Sequence, residues 1–426
     1  MPKILSITTH MGGGVGKALA GIAVYNLKNN TGYKHKILML EKPERMQFID
    51  QCIKNGVDIA FCEDEAMLAD ELRMADIVLL NWWHHPLMAA FMHCFPQCPV
   101  RLVLWSHVSG CTYPELPFEL VKTVHKTFFA TRYSYDNPYW VETQRSYARE
   151  NAVTVYGLGE LNMRKVQKHF HNGFNIGYVG TLNYSKLNPD FARYCAAVDI
   201  PDTKFIMVGD TSSQKIIEDD ANGLKVKDKL CFTGYTTDVA GTLENFDIFG
   251  YILNSWHFGA TENALLEAMA AGLPVVTLDQ CAEKYIIKNM ETGLLVHNES
   301  DYARSVRYLY GNPAERERMG NNAREYILEE FSMDKNVLRM NNAFDQVMEQ
   351  APRIFSFDKI FGSEPYEWFI TCLGADREKF KESLYSGNIS NCRHIFKENS
   401  KSSVFHFAKY YPSDKYISQW KEMVEV

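Results

Sequence analysis

Two hydrophobic patterns alternate along the first 160 residues. Short apolar runs of strand length recur, and between them apolar residues return at helical spacing, as in "DEAMLADELRMA" (64–75), which has acidic residues in its first turn. The apolar runs predict six strands: "KILSITT", "HKILML", "DIAFC", "DIVLLNWW", "VRLVLWSH" and "KTFFAT". Strands that alternate with helices indicate a mainly parallel sheet that is covered on both faces.

A second series of the same kind begins after the polar, basic stretch "NMRKVQKHFHNG" (162–173). It predicts the strands "FNIGYVGT", "KFIMVGD", "KLCFTGY", "DIFGYIL", "LPVVTLD" and "GLLV". Two helices are expected over 301–349, and residues 351–426 are aromatic-rich and mostly helical, with a break at "YYPSDKY".

These patterns predict an α/β protein with two doubly wound, Rossmann-like domains. We place the domains at 1–172 and 173–350 and a helical C-terminal extension at 351–426. Ligands of such sheets bind beyond the carboxyl ends of the strands, so the predicted site is a central cleft that both domains face.

Composition and charge narrow the class of protein. The chain has 426 residues, of which 46% are hydrophobic, which is enough for two or three domains. Its ten cysteines follow no disulfide framework, and the chain contains no leader pattern and no apolar run of membrane-spanning length. We therefore expect a cytoplasmic protein. The net charge of −7 gives no reason to expect nucleic-acid binding and allows at most a peripheral membrane contact.

A glycine-rich loop, "THMGGGVGKAL" (9–19), follows the first predicted strand. Glycines between a strand and a helix let a phosphate approach the backbone amides. The loop is not a nucleotide-triphosphate loop, because Ala18 stands where the magnesium-binding hydroxyl is needed. It is not a dinucleotide fingerprint either, because Lys17 replaces the third glycine.

The segment "NSWHFGATENALLEAMAAGLPVVTLD" (254–279) predicts a helix from Asn263 to Ala271 that starts just after a strand. The first amides of such a helix form an anion site that suits a diphosphate. Glu267 lies about one turn further in, where its two carboxylate oxygens can accept both protons of a ribose diol.

This segment resembles the donor-binding region of retaining glycosyltransferases of the GT-B fold, family four (glycosyl transferases group 1). The resemblance covers most of 170–347 and includes "YVGTLNYSK", "GLPVVTLD", "ETGLLV" and "AREYILEEFS". The N-terminal domain is similar more loosely, through its glycine-rich loop and through His107 in "LVLWSHVSG". Residues 352–426 lie outside the family pattern.

The resemblance implies transfer of a sugar, with retention at the anomeric carbon, from a UDP- or GDP-linked donor to a hydroxyl of a glycan or other acceptor. It implies no cofactor and no metal, in line with the absence of an Asp-x-Asp motif. Glu267 would then hold the ribose, Lys186 the diphosphate, and His107 would lie near the donor sugar. The residues expected at the donor are Gly12, Gly13, Gly14, Gly16, Thr181, Lys186, Asn263, Ala264, Leu265 and Glu267.

Two positions depart from the family pattern. Gly259 stands where the family usually has a glutamate, eight residues before Glu267, and Thr181 stands where it usually has an arginine. We expect Glu262, on the same loop as Gly259, to reach the sugar hydroxyls and to act with His107 in catalysis. Without the arginine, Lys186 would hold more of the phosphate. We expect Lys17, on the first helical turn, to face water, and a second phosphate-binding cation is the alternative for it.

Two alternatives share the fold and the ligand: a sugar-nucleotide epimerase, and a sugar-nucleotide-binding protein without catalysis. A smaller alternative concerns "NWWHHP" (81–86), in which Trp82 and Trp83 either stack on an acceptor sugar or belong to the core.

Overall fold

The computed structural model describes residues 1–43, 45–161, 163–167, 171–389 and 401–425. The chain forms two compact units. Unit 1 comprises residues 1–160 together with 333–426, and unit 2 comprises residues 161–332. Among the described residues, no helix is both long enough and apolar enough to span a membrane.

Unit 1 contains a seven-stranded parallel sheet in the order β3-β2-β1-β4-β5-β6-β7. All six strands expected from the hydrophobic pattern are present, and the short β7 was not predicted. The strands are β1 (Lys3–Thr8), β2 (Lys34–Met39), β3 (Asp58–Phe61), β4 (Ile77–Trp82), β5 (Leu102–Ser106), β6 (Lys126–Phe129) and β7 (Ala152–Thr154).

The helices of unit 1 come from both ends of the chain. The N-terminal segment supplies α1 (Gly13–Asn29), α2 (Gln47–Lys54), α3 (Glu65–Met74), α4 (Pro86–His93), α5 (Phe118–Thr123) and α6 (Glu142–Asn151). The C-terminal segment supplies α14 (Met333–Met348), α15 (Asp358–Phe361), α16 (Pro365–Thr371), α17 (Arg377–Ser386), α18 (Val404–Tyr410) and α19 (Lys415–Glu425).

Unit 2 contains a six-stranded parallel sheet in the order β10-β9-β8-β11-β12-β13. Its strands are β8 (Phe174–Val179), β9 (Thr203–Val208), β10 (Leu230–Gly234), β11 (Ile248–Tyr251), β12 (Val275–Leu278) and β13 (Gly293–Val296). Its helices are α7 (Phe191–Ala197), α8 (Gln214–Gly223), α9 (Val239–Leu243), α10 (Asn263–Ala270), α11 (Glu283–Ile286), α12 (Glu299–Gly311) and α13 (Pro313–Glu330).

The division into two units differs from the two domains and separate extension expected from the sequence, because the C-terminal residues share the core of unit 1. Phe357, Phe369 and Trp420 are each fully buried in the same hydrophobic cluster as the sheet residues Leu104 and Phe129. Burying a large apolar side chain contributes about 1.5–3 kcal/mol, so the C-terminal helices help to stabilise unit 1. The two helices expected over 301–349 are three: α12, α13 and α14.

Candidate functional site

The donor-site residues expected in unit 2 gather at the carboxyl end of β11, where α10 begins. Glu262 precedes the first residue of α10, and its side chain is only 1% exposed. The Lys186 ammonium lies 2.6 Å from Glu262 Oε2, which also accepts a hydrogen bond from the Tyr251 hydroxyl at 2.7 Å. The structure thus brings Lys186 and Glu262, 76 residues apart in sequence, into one buried ion pair.

Glu262 has an unusual backbone conformation for its residue type. Its φ of 50° and ψ of 59° lie in the left-handed region, which a non-glycine residue occupies at a cost of about 1–3 kcal/mol. The carboxylate does not cap the helix, because it turns to Lys186 instead. Its other oxygen, Oε1, is buried and has no hydrogen-bond partner among the described residues, although it lies 3.6 Å from His257 Nδ1. Backbone strain and a buried oxygen without a hydrogen bond are together typical of a functional position.

The missing family glutamate at position 259 has a steric explanation. A Cβ atom on Gly259 would lie 1.6 Å from Glu262 Oε1 and 2.6 Å from Lys186 Nζ. Real side chains do not approach so closely, so no residue larger than glycine fits here while Glu262 keeps its position. The Glu262 carboxylate occupies the space next to the backbone of position 259.

A second buried ion pair supports this loop. His257 and Glu283 are both fully buried, and His257 Nε2 lies 3.1 Å from Glu283 Oε1. The Gly259 amide donates to His257 Nδ1 at 3.0 Å, so in the neutral ring the proton is on Nε2 and is directed at Glu283. Sequence reasoning did not find Tyr251, His257 or Glu283 as site residues. In the sequence, Glu283 differs from other acidic residues only in that it follows a predicted buried strand by a few positions.

The pKa values of the two ion pairs follow from burial and charge. Burial alone would raise the pKa of Glu262, but Lys186 and then His257 bring it below its ordinary value. Burial lowers the pKa of His257, and the Glu283 carboxylate overrides that and raises it to about 10. The Gly259 amide opposes this rise, because it donates to the nitrogen that a second proton would need.

The remaining donor-site residues of unit 2 lie on α10 and in the loop after β8. Asn263, Ala264 and Leu265 form the first turn of α10, and Glu267 follows on the same helix, buried with 7% of its surface exposed. Thr181 is exposed in the loop after β8, where its carbonyl accepts a hydrogen bond from the Tyr178 hydroxyl at 2.9 Å.

The glycine-rich loop lies in unit 1, between β1 and α1. Gly13 and Gly14 are exposed, Gly12 is half-buried, and α1 begins at Gly13 with no side chain capping its amides. Gly16 is buried, and a Cβ atom there would lie 2.1 Å from the Met11 carbonyl oxygen. The loop therefore requires glycine at position 16, and it presents backbone amides at the carboxyl edge of the sheet.

His107 follows β5 at the same edge of that sheet, half-buried. Its Nε2 lies 2.9 Å from Asn81 Oδ1, and the Asn81 amide nitrogen donates to the carbonyls of Ile7 and Leu79. The Asn81 oxygen is therefore the acceptor, and His107 carries its proton on Nε2. Burial lowers the pKa of His107 to about 3, so its Nδ1 keeps a lone pair at neutral pH and can accept a hydrogen bond from a hydroxyl.

Comparisons with known proteins agree with this architecture. Residues 160–326, nearly the whole of unit 2, match the family model "Glycosyl transferases group 1". The chain is 24% identical over 199 residues to the putative glycosyltransferase EpsD of Bacillus subtilis, a match that covers 46% of this chain and 51% of EpsD. It is 28% identical over 195 residues to N-acetyl-alpha-D-glucosaminyl L-malate synthase of Bacillus anthracis, a match that covers 45% of this chain and 48% of that enzyme. The chain spans about half the length of the curated relatives it matches.

Solved structures confirm the predicted GT-B fold. The crystal structure of Anabaena HepE in complex with UDP and glucose superposes with a TM-score of 0.66 at 14% identity, over 81% of this chain and 100% of HepE. Staphylococcus aureus TarM, solved as a mutant in complex with fondaparinux, alpha-GlcNAc-glycerol and UDP, superposes with a TM-score of 0.60 at 12% identity, over 81% of this chain and 100% of TarM. At these identities the likeness establishes the fold.

Proposed function

We propose that the protein is a retaining glycosyltransferase that transfers a sugar from a UDP- or GDP-linked donor to a hydroxyl of a glycan or other acceptor, without a metal. The observation that carries this proposal is the place of the buried Lys186–Glu262 pair. It lies at the N-terminus of α10, inside the range that matches the glycosyltransferase model. Helix amides and a fixed ammonium form a diphosphate site.

The ribose, the diphosphate and the sugar of the donor each have a binding group in this proposal. Glu267 binds the ribose hydroxyls, and Lys186 with the amides of Asn263, Ala264 and Leu265 binds the diphosphate. Oε1 of Glu262, which has no hydrogen-bond partner among the described residues, accepts a hydroxyl of the donor sugar. That bond would satisfy a buried oxygen that otherwise costs about 1–3 kcal/mol.

The catalytic step needs no nucleophile from the protein. The acceptor hydroxyl attacks the anomeric carbon on the face from which the diphosphate leaves, and the departing phosphate oxygen takes the hydroxyl proton. Lys186 and helix amides compensate the charge on the leaving group. His107 accepts a hydrogen bond from a donor-sugar hydroxyl through Nδ1, which its tautomer leaves available. The glycine-rich loop of unit 1 is proposed to offer amides to the phosphates.

The histidine tautomers support chemistry without a metal. His257, Cys281 and Glu283 lie close enough together to be metal ligands. However, Nδ1 of His257 accepts the Gly259 amide, and its Nε2 carries a proton towards Glu283. A metal ligand needs a lone pair and donates its other N–H to an acceptor, which is the reverse arrangement.

The test is a thermal-shift screen of the whole chain with UDP, GDP, ADP and their sugar derivatives, followed by turnover. A ligand that binds only the folded state raises the unfolding temperature, so one base should stand out. Free nucleoside diphosphate should then appear only when an acceptor from a glycan panel is added. Epimerisation of the donor without acceptor would identify an epimerase. Tight donor binding without turnover would identify a non-catalytic binder, and no nucleotide binding at all would overturn the proposal.

A further inference from the structure

A second group of polar side chains lies in unit 1, at the carboxyl ends of β1, β2 and β4, which are neighbours in the sheet. His10 follows β1, Glu41 follows β2, and His85 follows β4. His406 and Tyr410, on α18, complete the group, with ring centroids 4.7 Å and 5.2 Å from that of His85. We call these five residues the carboxylate–imidazole cluster. In this sheet β2 and β3 lie on one side of β1, and β4 to β7 lie on the other side. Open α/β sheets bind ligands at such a point, where the order of the strands reverses.

The backbone fixes the tautomer of all three histidines in the cluster. Nδ1 accepts an amide hydrogen bond from Gly12 in His10 (3.0 Å), from Leu87 in His85 (3.1 Å) and from Ser402 in His406 (3.1 Å). Each ring therefore carries its proton on Nε2 and can only donate there. His10, Glu41 and His85 place their ligand atoms within 4.8 Å of one another. These tautomers do not suit a metal, which would need the lone pair on Nε2.

Glu41 supplies the acceptors of the cluster. Oε1 lies 3.3 Å from His85 Nε2, and Oε2 accepts the Tyr410 hydroxyl at 2.7 Å. Burial would raise the pKa of Glu41, but hydrogen bonds from His85 and Tyr410 bring it down to about 2, so it is ionised. Its side chain is 26% exposed, so the carboxylate is partly open to a ligand.

The cluster combines hydrogen-bond donors, the histidine Nε2 atoms, with an ionised acceptor, the Glu41 carboxylate. This combination limits the kinds of ligand that it can bind. A hydroxyl both accepts and donates, so an oxygen between His10 and Glu41 can bond to both. Glu41 repels a free anion, whereas Lys401 and Lys409, whose charges also lower the pKa of His85, attract one. An apolar group would leave the polar atoms unpaired. The Trp83 ring lies 5.4 Å from His10 and 4.7 Å from His85. Like Trp82, it is buried in the core of unit 1, with 8% of its surface exposed, so it lines the polar groups mainly with its edge. Polar groups next to an aromatic ring suit the hydroxyls and C–H face of a sugar.

We propose that the carboxylate–imidazole cluster binds a sugar ring of the acceptor through Glu41 and His10, and that Tyr410 positions Glu41 for it. The assignment of this sugar as the acceptor rests on the proposed glycosyltransferase function, whereas sugar binding itself does not. The C-terminal helix α18 would thereby help to select the acceptor, although residues 352–426 lie outside the pattern that the sequence shares with the family.

The test is saturation-transfer NMR of the whole chain, without nucleotide, using methyl glycosides of glucose, galactose, mannose and N-acetylglucosamine. At least one glycoside should bind. Glu41→Gln and Tyr410→Phe should each weaken it about tenfold or more, the effect of losing one charge-assisted hydrogen bond. Tyr410→Phe keeps the ring and its packing, so it separates positioning from folding.

A matched control is available in unit 2. Tyr308 donates to Glu315 at 3.3 Å on the surface, so Tyr308→Phe removes a similar bond elsewhere and should leave glycoside binding unchanged. Once an acceptor is known, Tyr410→Phe should raise its KM with little change in kcat.

The proposal is overturned if no glycoside binds the wild-type chain, or if binding survives in both variants. Binding of inorganic phosphate in place of glycosides would also overturn it, and would assign the site to an anion held by Lys401 and Lys409. UDP and GDP binding, measured on the same samples, tests the donor site separately. Glycoside binding that fails while nucleotide binding persists therefore contradicts this proposal alone.

Discussion

At the residue scale, the side chain of Glu262 depends on the absence of a side chain at Gly259. The carboxylate of Glu262 fills the space that any side chain at position 259 would need, and it enters from a residue in the left-handed conformation. The absence of the family glutamate at 259 is therefore compatible with a carboxylate in that place.

We expect Gly259→Ala to push the Glu262 carboxylate away from Lys186. The variant should lower the free energy of unfolding by about 1–3 kcal/mol, as overpacking typically does, and should reduce transfer. Urea unfolding and donor turnover measure the two effects. Gly223→Ala is the control, because a Cβ atom there meets nothing within 4 Å. Equal stability and activity in Gly259→Ala and wild type would contradict the steric argument.

Glu262 and Glu267 are expected to act on different portions of the donor. Glu267→Gln should weaken binding of the free nucleoside diphosphate about tenfold or more, because it removes one acceptor of the ribose hydroxyls. Glu262→Gln should slow transfer strongly and change the affinity for the free nucleoside diphosphate much less. Competition titrations with the diphosphate and with its sugar derivative distinguish the two. Wild-type transfer by Glu262→Gln would show that this carboxylate has no contact with the sugar.

The candidate site could be predicted from sequence only partially. The helix at Asn263 follows from local pattern, and the roles of Lys186 and Glu267 follow from resemblance. The ion pair between Lys186 and Glu262 does not follow, because it joins loops after β8 and β11, which become neighbours only in the folded sheet. Tyr251, His257 and Glu283 are site residues for the same tertiary reason. The roles given to the donor-site residues remain predictions.

At the scale of elements, α10 is the helix that would stabilise the charge of the leaving diphosphate in place of a metal ion. In the proposed function its first amides and Lys186 bind the diphosphate, and Lys186 is already paired with the Glu262 carboxylate beside that helix. A helix N-terminus favours a nearby negative charge by about 0.3–1 kcal/mol, and the amides add hydrogen bonds.

We therefore expect full activity in the presence of EDTA. Turnover is measured with and without chelator, and again after addition of Mg²⁺ or Mn²⁺. Activity that EDTA abolishes and either ion restores would show that α10 and Lys186 do not suffice for the leaving group.

The elements were predicted better than their assembly. Strand and helix positions follow from local hydrophobic periods, and twelve of the thirteen strands could be located in this way. The surface against which the C-terminal helices pack could not be located from the sequence. An amphipathic pattern shows that one face of a helix is buried, but it does not show which part of the protein covers that face. Val100 and Arg353, for example, exchange two backbone hydrogen bonds of 2.9 Å across 253 positions of sequence.

At the scale of the whole molecule, buried histidines make unit 1 sensitive to acid. Burial lowers the pKa values of His35 and His84 to about 4 from the ordinary 6.5. Between these values the unfolded chain binds protons that the folded chain does not, so the free energy of unfolding falls as pH drops from about 6.5 to about 4.

Urea unfolding at pH 7.5 and pH 5 measures this loss by tryptophan fluorescence, to which unit 1 contributes all seven tryptophans except Trp256. His35→Gln should reduce the pH dependence by about 1–2 kcal/mol, since one unit of pKa shift corresponds to about 1.4 kcal/mol. His297→Gln, an exposed histidine of unit 2, should leave it unchanged. A pH dependence that is identical in His35→Gln and wild type would contradict the assignment.

The discontinuous construction of unit 1 also sets the order in which the protein can be completed during translation. A ribosome delivers residues 1–160 first, then the continuous unit 2, and only afterwards the helices that share the core of unit 1. Domains generally fold as units while synthesis proceeds from the N-terminus. Unit 2 can therefore fold on the nascent chain, whereas the first sheet must wait, partly uncovered, until α19 has left the exit tunnel.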